Sequence, residues 1–268
     1  MPRPTLGLVF FLSACGAPPS PEAAAPRPAL EVPAAERDRE PAEVAGDGAP
    51  RAPSADCTTT LRSASSLAVA PEERELYERA LGAEERGASA DARKLYYELI
   101  KDHPRSKLVP FAYLAFGELF TADARSDPSK WELARASYQE VVKYPPPDNL
   151  AYAYATARLG DTQRGRDDTQ ALATYKKAID AATQYPELPC SAAVRRDAEA
   201  RLVEVYAVVG QPDRAWAFLR TTTSEARAKE LLSDLVAIYQ KAGKGADACA
   251  AVRAAGPGAG PPERAACP

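Results

Sequence analysis

Residues 197–253 read DAEARLVEVYAVVGQPDRAWAFLRTTTSEARAKELLSDLVAIYQKAGKGADACAAVR, and this stretch repeats. A shift of 33 residues lays Leu202 on Leu235, Val203 on Val236, Tyr206 on Tyr239, Gly210 on Gly243 and Ala215 on Ala248. Each copy is a long amphipathic stretch, a glycine-containing turn and a second helical stretch. The second helix opens near Gln211-Pro212-Asp213 in one copy and near Lys244-Gly245-Ala246-Asp247 in the other. A period in the low thirties marks stacked helical hairpins. One hairpin cannot bury both of its apolar stripes alone, so each needs a neighbour. Small residues such as Ala215 and Ala248 let the second helix come close to the first.

With Leu, Tyr, Gly and Ala at these offsets, the two copies resemble the tetratricopeptide repeat (TPR). Upstream, Pro71-Glu72-Glu73 opens a helix predicted over 71–86, with proline in its first turn and acids at its amino end. Gly87 breaks it. A partner helix over 91–102 has an inward stripe of Ala92, Leu95, Tyr96, Leu99 and Ile100, and His103-Pro104 stops it. Gly87, Ala92, Tyr96 and Pro104 fall on the TPR offsets again. A second hairpin is expected over 108–120 and 131–143, and a third over 150–159 and 169–183. Their turns, 121–128 and 160–168, are longer than the TPR pattern has. The stops Tyr144-Pro145 and Tyr185-Pro186 match His103-Pro104, which makes His103 a cap residue rather than a general base. The phrase from Tyr96 to Ser106 is similar to TPR lipoproteins of the Gram-negative envelope, among them the outer-membrane-assembly lipoprotein and the Tol-Pal coordinator. Over about 180 residues this resemblance implies an all-α solenoid of about five hairpins, occupying 67–253.

Composition divides the chain. No aromatic residue lies between Phe11 and Tyr77, so only the later region can build a substantial core. Lys and Arg total 34 against 37 Asp and Glu, interspersed without a block of one sign, and no basic face for nucleic acid is apparent. A single His in the whole chain argues against most metal sites and most acid-base chemistry.

At the amino end, Arg3 precedes the apolar run from Leu6 to Leu12, too short to span a bilayer and typical of a secretory signal. Leu12-Ser13-Ala14-Cys15 resembles the lipobox of bacterial lipoproteins. That resemblance implies a signal peptide over 1–14, a lipid on Cys15 and, with Gly16 next, a place on the periplasmic side of the outer membrane. The alternatives are an ordinary signal peptide cut elsewhere and a start codon placed upstream of a cytosolic chain. Several acyl chains on one residue anchor stably. Residues 15–66, rich in Ala, Pro, Glu and Arg without apolar periodicity, are expected to form a disordered tether. The tail, 254–268, is expected to be irregular.

With Cys15 lipidated, Cys57, Cys190, Cys249 and Cys267 remain, with no CxxC among them, and export makes disulfides their natural use. Pairing Cys249 with Cys267 would pin the tail, and pairing Cys57 with Cys190 would pin the end of the tether. Four cysteines permit three pairings, and Cys249 could equally be a small core residue. The acidic neighbours Glu84-Glu85 and Asp167-Asp168 diverge on a helix and are expected at the solvated surface. No catalytic set, phosphate loop, metal set or cofactor motif emerges, so the chain is expected not to be an enzyme.

What remains is surface. The first helices of a TPR array line its concave wall, and TPR offsets place Tyr77, Leu81, Phe111, Glu118, Tyr154, Arg158, Asp197 and Glu204 there as candidate partner-binding residues. Core at helical spacing is the plainer reading of the aromatics. The function expected is a non-catalytic envelope scaffold that binds protein partners. Direct contact with peptidoglycan is the alternative.

Overall fold

The computed structural model describes residues 55–64, 67–258 and 267. The signal segment, Cys15 and the tether as far as residue 54 lie outside them. The chain divides into Met1–Asp47 and Gly48–Pro268, and every described residue belongs to the second unit.

Eleven α-helices follow one another, and the described residues contain no strand. They are α1 (Ala55–Ser63), α2 (Pro71–Glu85), α3 (Ser89–Asp102), α4 (Val109–Asp123), α5 (Lys130–Val141), α6 (Tyr152–Gln163), α7 (Asp168–Gln184), α8 (Ser191–Val209), α9 (Ala215–Arg220), α10 (Glu225–Lys241) and α11 (Gly245–Ala255). A 3-10 turn, Pro212–Arg214, leads into α9, and another, Gly256–Gly258, follows α11. From α2 to α8 each helix packs on the next; α8 then packs on α10, and α10 on α9 and α11. Neighbours in sequence are thus neighbours in space, an arrangement consistent with a helical repeat.

Local chemistry sets the helix ends. α2 begins with Pro71 and carries Glu72 and Glu73 in its first turn, complementing the unpaired N–H groups there. It ends at Gly87 with φ +73°, where the Gly87 N–H donates to Glu84 O and the Ala88 N–H to Ala83 O. α10 ends in the same way: Gly243 has φ +70°, its N–H donates to Gln240 O, and the Lys244 N–H donates to Tyr239 O. Both use glycine to reach the left-handed region and satisfy the last carbonyls. His103 caps α3 through its N–H to Leu99 O, and Tyr185 caps α7 through its N–H to Ala181 O. His103 therefore has the capping place expected from its sister tyrosine.

Most boundaries fall within two residues of the sequence expectation, and three larger differences stand out. α4 runs on to Asp123, and α6 to Gln163, so the connections that follow are shorter than 121–128 and 160–168. Gly160, expected in a turn, lies inside α6. The third difference is α1. Residues 55–63, expected in the disordered tether, are helical, and Cys57, Leu61 and Ala64 are buried in the core. A segment of nine residues is too short to hold a helix by itself. Tertiary contact supplies what local sequence does not.

Candidate functional site

The even-numbered helices α2, α4 and α6 each carry a small residue followed by an acid: Ala83-Glu84, Gly117-Glu118 and Gly160-Asp161. In each case the next helix sends a buried tyrosine to that acid. The Tyr96 hydroxyl donates to Glu84 Oε2 at 3.1 Å, Tyr138 to Glu118 Oε1 at 2.7 Å, and Tyr175 to Asp161 Oδ1 at 2.7 Å. The small residue makes this possible. A Cβ at Gly117 would sit 2.4 Å from Cε1 of Tyr138, and one at Gly160 would sit 2.7 Å from Cε1 of Tyr175. Glycine inside a helix costs about 1 kcal/mol against alanine, and here the missing Cβ leaves room for the ring.

An arginine completes each cluster. Arg158 of α6 reaches back to Glu118, with Nε 3.0 Å from Oε1, while its Nη1 lies 2.6 Å from Asp161 Oδ2. Arg201 of α8 reaches back in turn, with Nη1 2.9 Å from Asp161 Oδ1 and Nε 3.0 Å from Asp197 Oδ2. Charges therefore alternate along a continuous line: Glu118, Arg158, Asp161, Arg201, Asp197. Their mutual pairing offsets the cost of desolvating each one. Burial works against the Arg158 cation, but Tyr138, Glu118 and Asp161 around it outweigh burial and raise its pKa well above the ordinary value. Burial also pushes the phenols of Tyr96, Tyr138 and Tyr175 upward, and the adjacent carboxylates push them the same way.

The first cluster takes its arginine from elsewhere. Where Arg158 and Arg201 come from the following even-numbered helix, the partner of Glu84 is Arg62 of α1. α1 lies against the even-numbered helices. Its Arg62 carbonyl accepts from the Tyr77 hydroxyl of α2 at 2.8 Å, and Thr58 Oγ1 lies 3.2 Å from the Tyr154 hydroxyl of α6. It also packs on α4. Arg74 of α2 donates to the carbonyls of Ala64 and Leu67 just beyond α1. Cys57 is disulfide-bonded to Cys190, the residue before α8. A second disulfide joins Cys249 of α11 to Cys267.

The eight candidate wall residues fall into different settings. Tyr77, Phe111, Tyr154 and Arg158 were expected to be exposed on a wall and are buried. Tyr77 and Tyr154 are covered by α1, Arg158 is enclosed by its two carboxylates, and Phe111 belongs to the core. Glu118 and Asp197 are half-buried members of the charge line. Leu81 lines a cleft of about 320 Å³ with Thr58, Thr59, Arg62, Ser63, Glu84 and Glu85. Glu204 is exposed and pairs with Arg164 at 2.7 Å. The structure thus joins Glu118, Tyr154, Arg158 and Asp197 in one network and leaves Glu204 outside it. Glu84, expected at the solvated surface, is instead 14% exposed and paired. Asp167 caps α7 by accepting from the Gln170 N–H at 2.9 Å, and Asp168 accepts from the Gly165 N–H at 2.7 Å.

Sequence reasoning missed Arg62, Tyr96, Tyr138, Asp161, Tyr175 and Arg201 as members of a site. The small-acid pair was the available signal. It is hidden because the tyrosine follows its acid at separations of 12, 20 and 14 residues. Among the described residues no group of His, Cys, Asp and Glu is arranged to hold a metal ion, and no helix is long and apolar enough to cross a membrane. No protein-family model matches the chain, and no curated protein and no solved structure matches it.

Proposed function

We propose that this chain is a non-catalytic TPR scaffold of about five hairpins, anchored by a lipid on Cys15 to the periplasmic side of the outer membrane, where it binds envelope proteins. The observation that carries the binding part is α1. A nine-residue helix from outside the repeat seats across the even-numbered helices and is gripped by α2, α6 and the start of α8. A surface that holds one helical segment through paired charges and hydroxyls has the chemistry to recognise another. The carboxylates Glu118 and Asp161 are each engaged by two or more donors, which suits them to hold the array together rather than to transfer protons. Support for the location comes from the lipobox-like Leu12-Ser13-Ala14-Cys15, and two disulfides suit an oxidising compartment.

Fractionation of cells carrying the wild type and Cys15→Ala, with crosslinked capture from the wild-type membrane fraction, tests this. The expected result is wild type in the outer membrane, Cys15→Ala released, and a stoichiometric envelope protein recovered. Both forms soluble in the cytoplasm would overturn the anchor and the compartment together. Capture of peptidoglycan fragments without protein would replace the scaffold by a wall-binding role.

A further inference from the structure

Among the described residues α1 differs from the other helices in how it is held. It follows no hairpin neighbour, it is too short to hold a helix by itself, and its polar contacts include α2, α3 and α6. Its contact surface is a compact code. Cys57, Leu61 and Ala64 are buried. Thr58 meets the Tyr154 hydroxyl and Arg62 meets Glu84. A spacing of four places Cys57 and Leu61 on one face of α1, with Thr58 and Arg62 four apart beside it, and Ala64 follows just past the helix end.

The fit is incomplete. The cleft of about 320 Å³ stays open between α1 and α2, floored by Leu81 and edged by Glu84 and Glu85. The buried Nε of Arg62 has no hydrogen-bond acceptor. The repeat logic explains why. Glu118 and Asp161 each receive an arginine from the next even-numbered helix, but the position on α4 that would serve Glu84 carries no arginine; the α4 sequence VPFAYLAFGELFTAD contains no basic residue at all. Glu84 is a half-buried acid whose cation must come from outside the repeat.

Resting on the scaffold reading, we propose that the seat of α1 is the partner-docking surface, that α1 is a built-in stand-in for the partner, and that the Cys57–Cys190 disulfide is the latch that keeps it in place. The partner is a helical segment that presents a small apolar residue, a Leu four positions on and an Arg immediately after it, in the pattern of Cys57, Leu61 and Arg62. Arg places its guanidinium between Glu84 and Tyr96, and a longer side chain set than that of α1 fills the cleft above Leu81. Opening the latch is thiol-disulfide exchange with a dithiol. Its thiolate attacks the half-buried Cys190 sulfur, the bond to Cys57 breaks, and the Cys57 thiolate leaves and takes up a proton. The second thiol of the reductant then displaces Cys190, so the dithiol is oxidised to a cyclic disulfide and both cysteines are reduced. With the latch open, α1 is tied only by its short link to α2, and an effective concentration near the millimolar range is what a partner must exceed.

The test uses the full chain in three forms: wild type oxidised, Cys57→Ser/Cys190→Ser, and that pair with Leu61→Asp to unseat α1. The cysteine substitutions leave Cys249–Cys267 intact, which a reducing agent would not. The probe is a fluorescein-labelled synthetic peptide of residues 50–66 with Cys57→Ser, followed by fluorescence anisotropy. The oxidised chain is expected not to bind it. The triple variant is expected to bind at least about tenfold more tightly than the double variant, whose own α1 competes, and a peptide with Arg62→Glu is expected to lose at least about tenfold. Hydrogen exchange on the same samples should show protection lost in residues 57–63 and kept across α2–α8. A triple variant that ignores the peptide, an Arg62→Glu peptide that binds as well, or binding to the oxidised chain would each overturn the proposal. So would loss of protection across α2–α8, which would make α1 a fixed staple of the fold. If cells yield an envelope partner while the peptide fails, only this inference falls. If the peptide binds while Cys15→Ala fractionates as wild type, only the anchored-scaffold reading falls.

Discussion

From α2 to α7 a buried tyrosine of each odd-numbered helix reaches an acid on the helix before it; from α8 to α11 the tyrosines sit on even-numbered helices and their hydroxyls reach no side chain. Tyr206 donates to the carbonyl of Gln211 in its own turn at 2.8 Å, and the hydroxyl of Tyr239 is buried without a hydrogen-bond partner. Yet α8 to α11 is where the repeat is plainest in the sequence. Apolar contacts carry most of that half, through Leu202, Leu235, Ala215 and Ala248 in the core, beside one buried acid, Glu199, that accepts from Arg227 at 2.8 Å and from Thr223 at 3.2 Å, and its end is closed by Cys249–Cys267. The earlier half has irregular connections and a line of alternating buried charge. Regularity of pattern and richness of polar bonding are therefore separate properties. A strict period needs only interchangeable apolar contacts, whereas a polar network fixes particular residues to particular places.

Alkaline titration should separate the halves most strongly. Burial raises the phenols of Tyr77, Tyr96, Tyr138, Tyr154 and Tyr175 well above their ordinary value, while that of Tyr239 goes to about 12. A raised phenol stays protonated in the folded chain while the unfolded chain begins to ionise near pH ~10. The stability it contributes is whole below that pH and falls as pH rises towards the folded value, by about 1.4 kcal/mol per pH unit for each phenol. Hydrogen exchange against pH should show α2–α7 losing protection first, and a simultaneous loss in both halves would erase the comparison.

Next in size is Asp161→Ala. It strips the acceptor from Arg158, Arg201 and Tyr175 at a site where the acid is 7% exposed, and about 4 kcal/mol of unfolding free energy should be lost in urea titration. The exposed pair Lys229–Glu225 on α10 is the control, and Glu225→Ala should change stability by less than about 0.5 kcal/mol. Equal losses would mean that the charge line adds nothing to the fold.

Glycines sharpen the contrast by changing its sign. Gly117→Ala drives a methyl into the buried Tyr138 ring and should destabilise by about 2 kcal/mol. Gly245→Ala, at the start of α11 with open space around it, should stabilise by about 0.5 kcal/mol. Thermal denaturation of the two variants decides it. Smallest is the loss of a single hydroxyl. Tyr138→Phe removes a donor to Glu118 and should cost about 1.5 kcal/mol, whereas Tyr239→Phe removes an unpaired buried group and should be neutral or slightly stabilising.

Much of the fold was legible in the sequence. Gly87, His103, Tyr185 and Gly243 mark helix ends because each boundary depends on one residue and its immediate neighbours. The candidate site was legible only in part. Glu118, Tyr154, Arg158 and Asp197 were picked out as members of an open wall, and their positions on the even-numbered helices are sound, but their company is not. A lone glycine signals a break, so the sequence points Gly160 to a turn, whereas the ring of Tyr175 that gives it a helical place comes from the next helix.

The sequence by itself determined an all-helical chain with helices at hairpin spacing, because helix formation and apolar stripes are read over four to seven neighbouring residues. The tertiary structure alone decided that Glu84, Glu118 and Asp161 are anchored by tyrosines and arginines from other helices, and that Cys57 finds Cys190 133 residues away. It also decided that residues 55–63 fold at all. Those outcomes depend on which groups are left without water and without a partner when the helices meet, and no local pattern carries that information.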